Sequence, residues 1–299
     1  MRISTQTLFD NGAARIGDLQ SGLLKTQQQI STGRRVLTPA DDPVAAARAL
    51  EVTQSQSLNT QYGTNRGYAK DSLGAVEGTL ASVTSLLQDV KTTVIAAGNA
   101  ALSDTERGFM ATELRGRFEE LLGLANTRDA QGNYLFSGFQ TTTTPFVQTA
   151  TGAQYQGDQG QRQMQVDATR QMAVSNSGQA VFQGGGQDMF KTLTDLITQL
   201  ETPGTLGLNT ALATANGNMD LALNNVLTAR ASVGSRLQEL DALDNAGSDR
   251  NLQYSQTLSD LQDLDYTQAL TALSKQQITL EAAQKSFVKT SGLSLFNFI

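Results

Sequence analysis

The chain has no cysteine, no histidine and no tryptophan among its 299 residues. Without cysteine it can form no disulfide and can hold no zinc finger or thiol-based catalytic site. Without histidine it lacks the commonest general base and the commonest metal ligand in proteins. These absences argue against an enzyme, and we expect no catalytic site, no cofactor and no metal ion.

Positive charge and long apolar runs are also scarce. The chain carries 22 Lys and Arg against 28 Asp and Glu, which gives a net charge of −6 and a pI near 4.8. Nucleic-acid binding needs a basic surface, so we expect no such partner.

The opening residues, MRISTQTLFDNGAARIG, lack the apolar run of a secretory signal. No stretch is long and apolar enough for a membrane helix, so we expect no membrane partner.

Apolar residues make up 39% of the chain and aromatic residues 6%. This composition lacks material for a thick globular core and favours an elongated helical bundle. Apolar spacing predicts a first helix over about 7–30, with Gly33 as its C-cap. A much longer helix is predicted over about 43–97, and Asp42 followed by proline is a typical start for it.

Further helices follow along the chain. Ser103 and Glu106 form a possible capping box that opens one of them. Helical spacing returns at residue 209, weakens at DNAGSD (244–249), and continues in a last helix to about Phe287. The chain is therefore predicted to be helical at both ends.

The two longest helical stretches carry apolar residues at alternating steps of three and four, close to a heptad pattern. We predict that these stretches pack antiparallel as a rod within one chain. The predicted rod seam consists of Leu58, Tyr62, Leu73, Val76, Leu80, Val83, Leu87, Val90, Val94, Leu212, Met219, Val226, Val233, Leu237 and Leu240.

The middle of the chain has a different character. Between 134 and 186, Gln, Thr, Gly and Ser dominate, and short alternating runs predict a small β insert. The expected fold is therefore mainly α with a small β insert, arranged as an antiparallel helical bundle or coiled coil formed by both chain ends. The expected domains are terminal arms (1–36 and 264–299), a rod (37–133 and 187–263) and the outer insert (134–186).

Two features could be mistaken for ligand sites. GGGQDMFKT resembles a phosphate loop, but Phe190 stands before Lys191 where the motif requires glycine, so we interpret the glycines as a linker. Asp260, Asp263 and Asp265 lie close together, but no glycine turn or bidentate glutamate accompanies them. We interpret these aspartates as a solvated helix face.

The terminal arms carry sparse apolar rows, and two helices alone make a thin core. We therefore expect the arms to be marginal in a monomer and to become ordered when neighbouring subunits cover them. The last seven residues, 293–299, are apolar and uncharged, and we expect them to be buried in an assembly. The candidate assembly residues are Leu8, Ile16, Leu19, Leu23, Ile30, Tyr266, Leu273, Leu280, Phe287, Leu293, Leu295, Phe296 and Phe298.

Several ordered motifs carry a resemblance to a known family. They are MRIST at the start, STGRRVLTPADDPVAA (31–46), GNYLFSGFQTTTTPF (132–146), ASVGSRLQEL (231–240) and the ending from LDYTQAL onward (264–299). Together they resemble the family of the third hook-associated protein of the bacterial flagellum. This family consists of flagellin-like proteins that form the junction between hook and filament.

The resemblance implies a flagellin-like helical double layer whose terminal arms line the inner tube of the flagellar axis. It implies a homo-oligomeric ring, with the first hook-associated protein on the hook side and flagellin or the filament cap on the other. It also implies an extracellular location in the flagellum after export by the flagellar type III route. A dedicated export chaperone would bind the C-terminal arm before export.

Two alternatives remain at this point. Flagellin shares the broken first helix, although its C-terminus differs from the ending found here. From a different class, the chain could be a soluble adhesin or binding module that uses the β insert as its binding surface. Such a module would be a stable monomer with folded ends.

Overall fold

The computed structural model describes residues 5–204 and 207–292, and these ranges are mainly α-helical. The mainly α fold with a small β insert, predicted from the sequence, is confirmed. The elements are α1 (Thr5–Thr32), α2 (Pro43–Ala97), α3 (Asp104–Ala125), β1 (Phe146–Thr149), β2 (Gly152–Tyr155), β3 (Gln163–Asp167), β4 (Arg170–Ala173), α4 (Gly178–Phe182), α5 (Met189–Glu201), α6 (Leu208–Gln262) and α7 (Tyr266–Gly292).

Local sequence signals explain where several helices start and stop. Helix α1 ends before Gly33, whose φ of 71° is readily adopted only by glycine. At the start of α2, the Asp42 carboxylate accepts a hydrogen bond from the Ala45 N–H at 3.0 Å. Ser103 and Glu106 form both bonds of the predicted capping box at the start of α3.

One local expectation is wrong. The predicted weak point at 244–249 does not interrupt α6, which continues to Gln262. Gly247 is needed there for a close approach, because a Cβ atom at this position would lie 2.4 Å from a guanidinium nitrogen of Arg66. Its carbonyl accepts a hydrogen bond from Asn59 at 2.7 Å. The actual break follows α6, and Asp265 caps α7 by accepting the Thr267 N–H at 2.9 Å.

The chain divides into two compact units. Unit 1 comprises residues 1–58 and 249–299, and unit 2 comprises residues 59–248. Helices α2 and α6 contribute residues to both units.

Unit 2 contains the hydrophobic core. Its segments of α2 and α6 run antiparallel, as ion pairs between them show: Glu77 with Arg230 at 2.6 Å, and Lys70 with Asp241 at 2.7 Å. Helices α3 and α5 and the strands complete the packing. The seam residues that are buried in this core are Leu73, Val76, Leu80, Val83, Leu87, Val90, Val94, Leu212, Met219, Val226, Val233 and Leu240.

The β insert forms two separate antiparallel hairpins, β1–β2 and β3–β4. An isolated two-stranded hairpin is only marginally stable in water, so each depends on the helices beneath it. Asn65 and Arg66 of α2 donate hydrogen bonds to carbonyls of β3 at 2.8 and 3.0 Å. Arg236 of α6 donates to the Ala173 carbonyl of β4 at 3.2 Å. At the start of β1, the Phe146 ring packs against Phe182 and Phe190.

We expect Leu80→Asp to destabilise unit 2 by at least about 3 kcal/mol, because an unpaired charge would replace a fully buried apolar side chain. Thermal unfolding followed by circular dichroism measures this effect. Ser82→Asp, at an exposed position on the same helix, is the matched control and should change stability by less than about 0.5 kcal/mol. Equal melting temperatures for the two variants would contradict the packing described.

Candidate assembly surface

Unit 1 lacks a hydrophobic core of its own in the part of the chain that the structure describes. The core cluster extends from Ala69 to Leu240, entirely within unit 2. Among the described side chains of unit 1, the buried apolar residues are Val36 and three alanines, at positions 45, 49 and 269. No leucine, isoleucine or phenylalanine of that set is buried.

Unit 1 instead exposes large apolar side chains. Ten of the seventeen exposed large apolar residues in the described ranges belong to it, although it is the smaller unit. They are Phe9, Leu24, Val44, Leu50, Leu58, Leu252, Tyr266, Leu270, Ile278 and Val288. Such a concentration of exposed apolar surface is typical of a protein–protein contact region.

Charge is distributed unequally between the units. Unit 1 carries ten Lys and Arg and ten Asp and Glu, so its formal net charge is zero. Unit 2 carries twelve Lys and Arg and eighteen Asp and Glu, and therefore the whole net charge of −6. Copies of unit 1 can approach one another without net electrostatic repulsion.

Helices α1 and α7 pair with each other, and most of the predicted arm residues lie along this pair. The rings of Phe9 and Phe287 meet edge to face, with centroids 4.7 Å apart. Tyr266 is 51% exposed. The half-buried arm residues are Ile16, Leu19, Leu23, Ile30, Leu273, Leu280 and Phe287. The side chain of Leu8 and the predicted residues Leu293, Leu295, Phe296 and Phe298 lie outside what the structure describes.

Three seam residues are less buried than the rest. Leu58 belongs to unit 1 and is 44% exposed, while Tyr62 and Leu237 of unit 2 are half-buried. The apolar spacing alone did not distinguish these positions from the fully buried ones.

A second apolar face of α7 was missed by the sequence reasoning. Leu270 and Ile278 are 53% and 67% exposed and, with Ser274, line an open surface groove. They fall outside the row of α7 residues spaced by three and four that includes Leu273 and Leu280. A search for apolar residues outside that row would have found this face.

Two paired turns hold the ends of α1 and α7 together. The Leu264 N–H donates to the Gly33 carbonyl at 2.9 Å, and the Arg35 N–H donates to the Gln262 carbonyl at 2.7 Å. The Arg35 guanidinium also donates to the Leu261 carbonyl at 2.9 Å. The break between α1 and α2 is therefore bonded to the break between α6 and α7.

Asp41 organises the first of these turns. Its carboxylate forms an ion pair with Lys25 at 2.5 Å and accepts the N–H groups of Thr38 at 2.8 Å and Leu37 at 3.0 Å. The hydrogen bond from Lys25, followed by that from Thr38, lowers the pKa of Asp41 from 3.8 to about 2. This carboxylate therefore stays ionised, and keeps these bonds, at all but very acidic pH.

Hydrogen bonds explain two of the aspartates that the sequence raised as a candidate ligand site. Asp265 caps α7, and Asp263 accepts a hydrogen bond from Ser259 at 2.5 Å. Within the described ranges, no group of three or more acidic side chains is arranged to hold a metal ion. None of the helices described there has the length and apolar character needed to cross a membrane.

Comparisons with known proteins point to one family. A model of the bacterial flagellin N-terminal helical region matches residues 3–141. Flagellar hook-associated protein 3 of Escherichia coli K12 is 36% identical over 315 residues, covering 99% of both chains. A solved flagellar hook-associated protein of Vibrio parahaemolyticus, 27% identical, has a TM-score of 0.70 and covers 75% of this chain and 100% of its own.

A solved flagellar junction protein of Legionella pneumophila has the same fold, with a TM-score of 0.62 at 20% identity. The match covers 72% of this chain and 100% of that one. The flagellin-like fold predicted from the sequence is thereby confirmed.

We expect Asp41→Asn to lower the thermal stability of the chain at pH 7, because an amide cannot form the ion pair with Lys25. The pKa of Asp41 is depressed in the folded chain, so its contribution is fully present above about pH 4 and is lost as the pH falls through about 2. The melting-temperature difference between wild type and variant should shrink over that window. Asp18→Asn, which removes the same charge from an exposed position of α1, is the control. A difference that did not depend on pH would contradict this role of Asp41.

Proposed function

The chain belongs to the flagellar hook-associated protein 3 family and is a structural subunit of the hook–filament junction, and we propose that it assembles there through unit 1. The observation that carries this proposal has two parts: the described side chains of unit 1 expose apolar residues and lack a core, and the sequence of the whole unit has zero net charge. These properties suit a segment that becomes stable when copies of the chain cover it.

The energetics favour this route. Burying a large apolar side chain contributes roughly 1.5–3 kcal/mol, so covering Leu270 and Ile278 on α7 stabilises the bound state. Ordering each residue costs about 1–2 kcal/mol of backbone entropy. A two-helix pair with half-buried contacts offsets little of that cost alone, whereas contacts with neighbours stabilise the ordered form by mass action.

The more detailed assignments are also part of the proposal. The arms, 1–36 and 264–299, line the inner tube of a homo-oligomeric ring, the rod (37–133 and 187–263) forms the next shell, and the insert 134–186 lies outside it. The first hook-associated protein contacts the ring on the hook side, and flagellin or the filament cap contacts it on the other. Export follows the flagellar type III route with a chaperone on the C-terminal arm. A thin, marginal unit 1 suits a chain that must unfold for export.

The alternatives have weaker support. The relative from Escherichia coli is matched over 99% of its length and is a hook-associated protein, which disfavours flagellin. The apolar surface of unit 1 also disfavours a monomeric adhesin. The named relatives are structural flagellar proteins rather than enzymes.

We expect Ile278→Asp to abolish filament attachment while leaving the free chain folded. Ile278 is 67% exposed, so the substitution should change the free energy of unfolding by no more than about 0.5 kcal/mol. In an assembled contact the same charge would be buried without a partner and should weaken binding at least about tenfold. Swimming of a strain that carries only the variant, and electron microscopy of its hooks, measure the effect.

Ile95→Asp is the matched control for this experiment. Ile95 is 65% exposed and belongs to unit 2, so the residue type and the exposure are nearly the same. Wild-type swimming of the Ile278→Asp strain would refute the proposed role of unit 1. Equal loss in the two strains would refute it as well.

We expect deletion of residues 293–299 to abolish filament attachment without changing the melting of unit 2. These residues lie outside the described ranges, and the expectation rests on their apolar composition. A full-length variant with serine at Leu293, Leu295, Phe296 and Phe298 separates apolarity from chain length. Normal filaments on hooks carrying the serine variant would show that the apolar tip is not required.

A further inference from the structure

The α1–α7 pair contains two contacts between a glycine and an aromatic ring, one towards each end. Near the start of α1, a Cβ atom on Gly12 would lie 2.7 Å from two ring carbons of Phe287. Just past the end of α1, a Cβ atom on Gly33 would lie 3.0 Å from the hydroxyl oxygen of Tyr266. The first distance is shorter than real Cβ contacts, and the second is a tight one, so at both positions a residue larger than glycine would press on its partner on α7.

Phe287 is held in place at the first contact. Its ring packs edge to face against Phe9 at a centroid distance of 4.7 Å and an interplanar angle of 62°. Gly12 and Phe9 are three residues apart and therefore lie on the same face of α1. The ring of Phe287 thus rests on the backbone at Gly12 and against the side of Phe9. If a methyl group were introduced at Gly12, the Phe287 ring would have to move away and would lose its contact with Phe9.

Gly33 is fixed in a different way. Its φ of 71° is strained for other residues, and its carbonyl accepts the Leu264 N–H at 2.9 Å. This bond places the start of α7 beside the end of α1, where Tyr266 lies against the glycine.

The two contacts have the same spacing on both helices. Gly12 and Gly33 are 21 residues apart, and so are Tyr266 and Phe287. Twenty-one residues correspond to three heptads, after which a paired helix presents the same face again. If α7 slipped by one turn along α1, Phe287 would lie against Phe9 or Ile16 instead of Gly12. Because the spacing is the same on both helices, the same slip would also separate Tyr266 from Gly33.

We propose that Gly12 and Gly33 are positioning residues that fix the register of α1 against α7. The register determines where the exposed apolar side chains of the two helices, Leu24 on α1 and Ile278 on α7, lie relative to each other. This second statement rests on the proposed function, because it concerns the surface that unit 1 offers to neighbouring copies. The register itself is a property of the single chain.

The first test compares two glycines of α1 in the full-length chain. A Cβ atom on Gly17 would meet nothing within 4 Å, so Gly17→Ala should raise the melting temperature of the terminal helices, as glycine-to-alanine changes in helices do. Gly12→Ala should lower it, because the methyl group displaces the ring of Phe287. In a Phe287→Ala background the ring is gone, and Gly12→Ala should then raise the melting temperature.

This reversal of sign identifies a contact with the ring rather than a general effect on the helix. The proposal is overturned if Gly12→Ala and Gly17→Ala shift the melting temperature in the same direction in the wild-type background.

The second test measures the register directly and benefits from the absence of native cysteines. A Cβ atom on Gly22 would lie 3.9 Å from the side-chain amide nitrogen of Gln276, so the two backbones face each other across about one side-chain length. Gly22→Cys with Gln276→Cys should therefore be joined by a bis-thiol reagent with a short spacer. Gly22→Cys with Leu280→Cys reports a slip of one turn. Gly12→Ala should lower the yield of the first pair and raise that of the second. Overpacking of this kind shifts an equilibrium roughly five- to a hundredfold.

A covalent cross-link also traps a helix pair that forms only transiently, so the test works on the free chain. The proposal is overturned if the parent chain gives no Gly22–Gln276 cross-link, or if Gly12→Ala and Gly17→Ala give the same ratio of the two products. Failure of the proposed function is a separate outcome. In that case the cross-links would behave as expected while Ile278→Asp left filament attachment unchanged.

Discussion

In unit 2, the leucines and valines on one face of α2 pack against α6 and α3 and are almost completely shielded from water. The rest of the chain depends on this burial. It allows helices of 55 residues to persist in a chain with few aromatic residues. The two hairpins are too small to be stable alone and are bonded to these helices through Asn65, Arg66 and Arg236. Arg66 itself is 3% exposed and is paired with Asp244 at 2.5 Å, which offsets the cost of burying its charge.

Unit 1 differs from unit 2 in both burial and charge. Its described helices have half-buried contacts and exposed apolar residues, and its acidic and basic side chains balance. One unit therefore has a buried core and a net negative charge, and the other has exposed apolar side chains and no net charge. Net charge keeps a protein soluble, so the charge of unit 2 opposes aggregation driven by the apolar surface of unit 1.

Much of the fold could be predicted from the sequence, because its strongest signals are local. Proline after Asp42, the Ser103–Glu106 pair and the apolar spacing of α2 each specify structure within a few residues. The errors arose where a distant contact decides the outcome. Gly247 has the signature of a helix break, but it admits the guanidinium group of Arg66, which lies far away in the sequence.

The candidate assembly surface could be predicted only in part for the same reason. The apolar row of α7 that faces α1 could be predicted from its spacing of three and four residues. The exposure of Ile278 could not, because it depends on which face of α7 is covered by α1. Likewise, nothing in the local sequence distinguishes Gly12 from Gly17, since only the ring of Phe287 makes one of them necessary.

The paired turns have a mechanical consequence. The bonds from Leu264 to Gly33 and from Arg35 to Gln262 belong to an antiparallel bridge, in which hydrogen bonds run perpendicular to the chain direction. A tensile force along the backbone at Gly33 therefore loads both bonds in shear at once, rather than opening them one after the other. Part of the tension on one terminal helix is therefore passed to the other through these two bonds.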